Sequence, residues 1–177
     1  MKNNFLKKIF NLFNGAPQKQ SSNIAIETPR MLLREIEMSD KNRILEISNT
    51  PGFAHYCFDG SVEKVDDFLK KCIDGRTPKP DTGFREYIML AMQSKETGDF
   101  IGCVSIENKC FVPGTDYEIN FFVDPKYQKS GFGREAVVNA ARYVFEDMKM
   151  PAINVTIEPD NAASLKVAAH EGYIDIG

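Results

Sequence analysis

Residues 116–148 have the sequence DYEINFFVDPKYQKSGFGREAVVNAARYVFEDM, and this stretch decides the fold. Its first part, 116–123, is rich in aromatic and β-branched residues and predicts a strand. In 133–148 the apolar residues recur at helical spacing and predict an amphipathic helix. The polar loop DPKYQKSGFG connects the two. The stretch therefore predicts a strand, a glycine-containing loop and a helix in direct succession.

The loop has the composition of an anion-binding turn. Gly131 and Gly133 lack the Cβ atoms that would keep a ligand away from the backbone. The first amides of the helix that begins there have no partner inside the helix, and they lie at the positive end of the helix dipole. A diphosphate is the type of ligand that such a site binds.

Two other interpretations fit the same loop. A tight turn from strand to helix would by itself explain the glycines. The segment GFGREA also matches the dinucleotide pattern GxGxxA, and Glu158 follows at the end of the next predicted strand, as in a Rossmann fingerprint. Against this, residues 124–130 separate the strand from the first glycine, and the chain after Glu158 is too short for the rest of such a domain.

The remaining elements set the fold class. Periodicity and turn signals predict three meandering strands before a single strand–helix–strand unit. The predicted strands are 24–36, 86–93, 99–107, 116–123 and 152–157, and the predicted helices are 40–48, 61–73, 133–148 and one from 160 or 161 to Gly172. This order predicts an α+β (mixed α/β) fold with a mixed, mostly antiparallel sheet flanked by helices.

Composition and charge bound the class of protein. The chain has 177 residues, of which 42% are hydrophobic and 27% charged, and these values are typical of one globular domain. The net charge is −3, but every acidic residue lies at or after Glu27, so the N-terminal segment is basic and the rest is acidic. An acidic domain without a basic block repels phosphate backbones, so we expect no nucleic-acid partner.

Cysteine usage and hydropathy predict a cytoplasmic protein without a metal. The four cysteines form no CxxC pair, and with only two histidines a zinc site is not expected. A disulfide framework would require a secretion signal, and we recognise none. No apolar run is long enough to cross a bilayer, so no transmembrane segment is predicted. We therefore expect reduced, mostly buried thiols.

The basic segment 1–23 is predicted as a unit separate from the domain at 24–177. Its first residues, MKNNFLKKIFNLFNGAP, place most of their apolar side chains on one side of a helix, and residues 18–23 form a polar linker. Such a helix fits contact with an anionic membrane surface or a partner, packing on its own domain, or a frayed terminus. The pattern alone leaves these alternatives open.

Three separated motifs carry a resemblance to a known family. QKSGFG at 128–133 precedes a predicted helix, a strand and NAAS at the start of another helix. This order resembles the acyl-CoA-binding core of the GNAT superfamily of N-acetyltransferases. IETPRMLLREIEMSD at 26–40 and EPDNAASLKVAAHEGY at 158–173 are similar to the ribosomal-protein alanine acetyltransferase branch. The resemblance covers 24–173, nearly the whole predicted domain.

The resemblance implies a binding site for acetyl-CoA as cosubstrate. The pantetheine arm would pair with backbone groups of Phe122 and Val123, and one of their amides would stabilise the oxyanion. Asn161 would hold the arm from the other side, and Ser164 would lie near the thioester sulfur. The loop residues that would bind the pyrophosphate are Gln128, Lys129, Ser130, Gly131, Phe132, Gly133 and Arg134.

The implied reaction is transfer of the acetyl group to a primary amine of a protein N-terminus or a small molecule, by direct attack in a ternary complex. Glu118 is the first candidate for the general base and Glu107 the second; an exposed strand carboxylate without a role is the alternative for Glu118. Many relatives have a tyrosine where this chain has Ala168, so Ser164 remains as the candidate leaving-group acid. Tyr173 is assigned to the core.

One departure from the family bears on activity. The family sheet normally ends with two more strands after the Gly-Tyr position, and this chain stops within the first of them. We expect a fragment, a partner that completes the sheet, or a reduced variant, and an exposed strand edge would favour a homodimer. A non-catalytic acyl-CoA-binding or interaction module is therefore the alternative function.

Overall fold

The computed structural model describes residues 4–9, 23–50, 61–80, 83–112 and 115–175. The strands within these residues are β1 Asn4–Ile9, β2 Ala25–Glu27, β3 Met31–Glu35, β4 Tyr87–Ser94, β5 Phe100–Val112, β6 Thr115–Val123, β7 Ala152–Ile157 and β8 Ile174–Asp175. The α-helices are α1 Lys41–Ser48, α2 Val62–Asp74, α3 Phe132–Arg142 and α4 Ala162–His170. A π-helical turn, Tyr143–Asp147, continues α3.

The strands form one mixed sheet in the order β2-β3-β4-β5-β6-β7-β1-β8. Neighbouring strands are antiparallel except β6 and β7, which are parallel. The parallel pair follows from the connection through α3, because a crossover helix returns the chain to the same end of the sheet. The mixed, mostly antiparallel α+β fold expected from the sequence is thereby confirmed.

Helices cover both faces of the sheet, and successive residues of the central strands contact different helices. On β5, Val104 belongs to the buried cluster that includes Val137 of α3. The preceding residue, Cys103, belongs to the cluster that includes Ile44 of α1 and Leu69 of α2. Because side chains alternate along a strand, β5 and β6 separate an α3 side of the sheet from an α1–α2 side.

Residues 4–9 form a strand, so the helix predicted for the N-terminal segment is wrong at these positions. β1 lies between β7 and β8, with Asn4 opposite Ile157 and Ile9 opposite Ala152. Pairing on both sides satisfies the backbone of the segment, and it outweighs a helical period that is too short to stabilise a helix alone. Residues 10–22 lie outside the described residues. The boundary between 1–23 and 24–177, and the contact with a membrane or partner, stay predictions.

A buried ion pair ties β3 to the segment before β4. Arg85 is completely buried and Glu35 is 6% exposed. The guanidinium donates from Nη1 to Glu35 Oε1 at 2.5 Å and from Nη2 to Oε2 at 3.2 Å. Arg85 Nε also donates to the carbonyl of Gly75 at 3.3 Å, and the Tyr117 hydroxyl donates to the Arg85 carbonyl at 3.3 Å. The pair therefore links β3, the end of α2 and β6.

Glu35→Gln leaves the buried Arg85 charge without its counterion, so we expect the free energy of unfolding to fall by about 3–5 kcal/mol. Equilibrium urea unfolding measures this change. The matched control is Glu86→Gln, which breaks the exposed pair between Lys79 and Glu86 and should have little effect because solvent screens it. Equal effects of the two substitutions would contradict a structural role for the buried pair.

Candidate functional site

A cleft opens where β6 and β7 separate. Within the described residues the two strands share one register pair, Glu118 with Asn154. A cavity of about 230 Å³ lies in the gap beyond it, between β6, β7, α3 and α4. The polar and aromatic residues that line it include Glu118, Asn120, Phe121, Asn161, Ser164 and Tyr173. The fold thus brings the predicted residues Glu118, Asn161 and Ser164 into one cleft.

The loop before α3 lies beside this cleft, because Gly133 packs on Phe121 of the cleft wall. A Cβ on Gly133 would come within 2.7 Å of Phe121 Cε2, so glycine lets α3 begin close to β6. Lys129 (φ 60°) and Gly131 (φ 81°) have left-handed backbone, a conformation that turns N–H groups toward one side and forms anion-binding concavities. The N-cap of α3 is Gly131, which has no side chain to bond the first amides of the helix, and these amides have no partner within the helix itself.

Thr28 and Arg30, from the turn between β2 and β3, hold the start of α3. Glu135, in the first turn of α3, accepts hydrogen bonds from Thr28 Oγ1 at 2.6 Å, the Arg30 N–H at 2.9 Å and Arg30 Nε at 2.7 Å. Arg30 Nη1 donates to the Ser130 carbonyl at 2.9 Å, and its guanidinium lies 4.2 Å from the centroid of the Phe132 ring. The sequence pattern does not reveal this clamp, although its members lie in or beside the quoted motifs.

Gln128, Asn161 and Ser164 have structural partners inside the site. Gln128 Nε2 donates to the carbonyl of Val123 at 3.1 Å, so this side chain fastens the loop to the end of β6. Asn161 is the N-cap of α4, and its Oδ1 accepts from the Ser164 N–H at 3.1 Å. These bonds give the predicted site residues a positioning role in the loop and the helix.

Phe122 and Val123 turn their backbone groups to opposite sides of β6. The Phe122 carbonyl lies against Gly102 of β5, where a Cβ would be 2.2 Å from it. Because backbone polar groups alternate along a strand, the N–H groups of Phe121 and Val123 point toward β7. Phe121, which the sequence did not single out, therefore lies at the cleft where Phe122 was expected. Phe122 is buried and lines a second cavity, which Phe121 also lines.

This second cavity, of about 490 Å³, lies on the α2 side of the sheet. Asn120 and Phe121 line both cavities, so both border β6 at these residues. Glu107 lines the second cavity, and its Oε1 accepts from Ser105 Oγ at 2.7 Å and from Asn120 Nδ2 at 3.4 Å. Its register partner Glu118 is 4% exposed. The alternative of an exposed strand carboxylate is therefore wrong for Glu118.

Tyr173 is a core residue, as predicted, and also part of the cleft wall. It belongs to the buried cluster beneath α3 and lines the same cavity as Ser164 and Ala168. Burial, together with the nearby Glu171 carboxylate, raises the pKa of the Tyr173 phenol well above its ordinary value. The phenol is therefore protonated at neutral pH. No local pattern reveals this placement, because the turn after α4 brings Tyr173 back to the cleft.

Neither a metal cluster nor a membrane-spanning helix is found in the part of the chain that the structure describes. No three or more His, Cys, Asp or Glu side chains there are grouped so as to hold a metal ion. The helices there lack the length and apolar character that crossing a bilayer requires.

Comparisons with known proteins agree with this geometry. A family model described as an acetyltransferase (GNAT) domain matches residues 30–174. An uncharacterized N-acetyltransferase of Bacillus subtilis (strain 168), YnaD, is 28% identical over 144 residues, which are 80% of this chain and 78% of that protein.

Solved structures share the fold. A GNAT-family acetyltransferase from Bacillus anthracis has a TM-score of 0.68 at 22% identity and covers 87% of this chain and 86% of its own. The ribosomal-protein-S5-alanine acetyltransferase from Vibrio fischeri has a TM-score of 0.63 at 22% identity, and the match covers 87% of this chain and 85% of that one. The spermidine N-acetyltransferase from Vibrio cholerae, in complex with CoA and spermine, has a TM-score of 0.65 at 17% identity, with coverages of 83% and 82%.

The clamp on α3 should make stability depend on acid pH. Burial by itself raises the pKa of Glu135, but the hydrogen bonds from Thr28 and Arg30 outweigh it and leave the pKa below its ordinary value. Stability from this group is therefore fully present above the unfolded-state pKa of about 4.3 and is lost as the pH falls through the lower folded-state pKa.

Glu135→Gln should accordingly lower the free energy of unfolding at pH 7, with the difference from the unmodified protein shrinking toward pH 3. Urea unfolding at pH 7, 5, 4 and 3 measures it. A difference that stays constant over this range would contradict the role given to the Glu135 charge.

Proposed function

The chain belongs to the GNAT acetyltransferase family, and on this premise we propose that it transfers the acetyl group of acetyl-CoA to a primary amine. The observation that carries the proposal is that Asn120 and Phe121 line two cavities on opposite sides of the sheet, with the loop 129–134 beside one of them. One cavity suits the thioester end of the coenzyme, and the other admits an acceptor from the opposite side of the sheet. Direct transfer needs this arrangement, because both reactants must be held together in reacting geometry.

The coenzyme pyrophosphate is assigned to the amides of residues 129–134. The left-handed Lys129 and Gly131 and the start of α3 supply N–H donors, and the helix dipole adds partial positive charge. The exposed Lys129 side chain would add attraction for phosphate. Arg134 contributes less, because its Nε pairs with Glu171 at 2.7 Å.

The pantetheine arm would lie along the open edge of β6. The backbone groups of Phe121 and Val123 face the gap left by β7, where an arm carbonyl would accept from the Val123 N–H and an arm N–H would donate to the Phe121 carbonyl. Asn161 and Ser164 of the cleft wall lie one turn apart at the start of α4. The arm would bring the thioester to Asn120 and Phe121, which line both cavities.

The reaction needs a base, a hydrogen-bond donor to the oxyanion and a departing thiol. In this proposal Glu118 takes a proton from the acceptor ammonium, and the neutral amine attacks the thioester carbonyl carbon. The Phe121 N–H, at the residue that lines both cavities, stabilises the oxyanion as the C–N bond forms. When the C–S bond breaks, the remaining surplus nitrogen proton reaches the thiolate. The products are an N-acetylated amine and free coenzyme A.

Two hydroxyl groups of the cleft are candidates for assisting the thiolate. Ser164 and Tyr173 line the same cavity. A phenol is a better donor toward a developing anion than an alcohol, and burial keeps the Tyr173 phenol protonated by raising its pKa. Tyr173 is therefore the first candidate for the hydrogen bond to sulfur, and Ser164 is the second.

The cavity on the α2 side is the proposed acceptor site. Glu107, held by Ser105 and Asn120, presents a carboxylate that can bind an ammonium group. Lysine and aspartate side chains of α2 also line the cavity, so its wall carries both signs of charge. Two proteins of similar fold are named for spermidine and for an alanine of ribosomal protein S5. For this chain the proposed acceptor class is the primary amine of a protein N-terminus or a small molecule.

Calorimetric titration with acetyl-CoA, followed by thiol-release assays with polyamines, small amines and N-terminal peptides, tests the proposal. We expect saturable binding and thiol release that depends on the acceptor. No binding at millimolar acetyl-CoA would contradict the proposal. Binding without turnover for every acceptor would indicate the non-catalytic acyl-CoA-binding module instead.

The variant Glu118→Gln tests the role of the proposed base by its effect on the kinetics. We expect kcat to fall by about 100-fold or more with an unchanged Kd for acetyl-CoA, because a general base acts in the transition state. The matched variant Glu107→Gln should mainly raise KM for the amine. The reverse pattern would make Glu107 the base.

Tyr173→Phe removes the hydroxyl and keeps the ring in the core. We expect kcat to fall about tenfold or more, and this deficit should shrink with thioesters of more acidic thiols, which leave without assistance. Ser164→Ala, assayed in parallel, should have the smaller effect. A larger, thiol-dependent loss in Ser164→Ala would assign the hydrogen bond to Ser164.

A further inference from the structure

Strand β7 is paired mainly with β1. It has six register partners in β1, from Asn4 opposite Ile157 to Ile9 opposite Ala152. In β6 it has one, Glu118 opposite Asn154. Backbone hydrogen bonds to a neighbouring strand determine where a strand lies. The N-terminal residues 4–9 therefore supply most of the strand pairing of β7.

β1 also joins two parts of the cleft wall. Residues 155–157 of β7 line the cleft, and so does Tyr173, which immediately precedes β8. β8 pairs with β1 at two positions, and the sheet order gives β8 no other strand neighbour among the described residues. The wall formed by β7 and the wall next to β8 are thus held together through β1.

We propose that the N-terminal strand Asn4–Ile9 is part of the coenzyme site: docked between β7 and β8, it holds the far wall of the cleft, and coenzyme affinity depends on its docking. The inference rests on the proposed function in one respect, namely that the cleft binds coenzyme A. The backbone pairing of the segment is the determinant.

One chain can supply this strand by itself. Six strand spacings of about 4.8 Å separate β1 from β2, or about 29 Å in all. The connecting residues 10–24 can span up to about 50 Å when extended. The strand directions also place the end of β1 and the start of β2 at the same end of the strands.

Docking of the strand and binding of the coenzyme must favour each other. Strands of a folded sheet open locally at a free-energy cost below that of global unfolding. A ligand that binds only when β7 is held in place suppresses this opening, and by reciprocity the loss of docking weakens the ligand.

Amide hydrogen exchange in the unmodified protein tests this linkage, with coenzyme A as the probe. We expect saturating coenzyme A to slow exchange in residues 4–9 and 152–157 together, by about tenfold or more, and to affect β2 much less. Slower exchange in 152–157 with unchanged exchange in 4–9 would overturn the inference.

Proline substitutions in β1 test the same linkage by weakening the docking of the strand and measuring coenzyme affinity. Neighbouring residues of a strand direct their N–H groups to opposite sides, so either Leu6→Pro or Lys7→Pro removes a hydrogen bond to β7. We expect the one of these two variants that loses its hydrogen bond to β7 to bind coenzyme A at least about tenfold more weakly. The control Ala25→Pro lies in β2, at the opposite edge of the sheet, and should retain affinity within about twofold.

Unchanged affinity in both β1 variants would overturn the inference. If circular dichroism shows that these variants do not fold, the exchange experiment on the unmodified protein decides. An unmodified protein that binds no coenzyme A would overturn the proposed function, and with it this inference.

Discussion

The parallel strands β6 and β7 stay together at one register pair and then separate, and the site follows from this divergence. The N–H groups of Phe121 and Val123 face the gap, and buried backbone donors need acceptors. An extended ligand with its own amides can supply them. The same divergence lets Asn120 and Phe121 line cavities on both sides of the sheet, so a donor and an acceptor can meet without sharing an entrance.

The sheet tolerates this gap because each side is held by a different part of the chain. On the β6 side, Thr28 and Arg30 bind Glu135 and fix the start of α3 against the strand. On the β7 side, β1 supplies the pairing that β6 does not. Both supports come from the front of the chain, before β4. The site therefore depends on long-range contacts as much as on the loop that presents its amides.

The sequence predicts well those elements whose signal is local. The strand 152–157 matches β7, and the helix predicted over 133–148 corresponds to α3 and the π-helical turn after it. β1 was missed because a short helical period competes with strand pairing that only the folded sheet provides. The strand alternation in 118–123 is visible in the sequence, but the side that each residue faces is not. For that reason Phe122 was expected where Phe121 lies, and the burial of Glu118 stayed open.

The central claim is that the loop amides hold the pyrophosphate while the edge of β6 holds the pantetheine arm. Amide NMR shifts on titration with coenzyme A and, separately, with pantetheine test it most directly. Coenzyme A should shift the amides of residues 129–134 together with those of Phe121 and Val123, whereas pantetheine should shift only the latter two. Loop amides that do not respond to coenzyme A, or shifts confined to the cavity on the α2 side, would contradict the account.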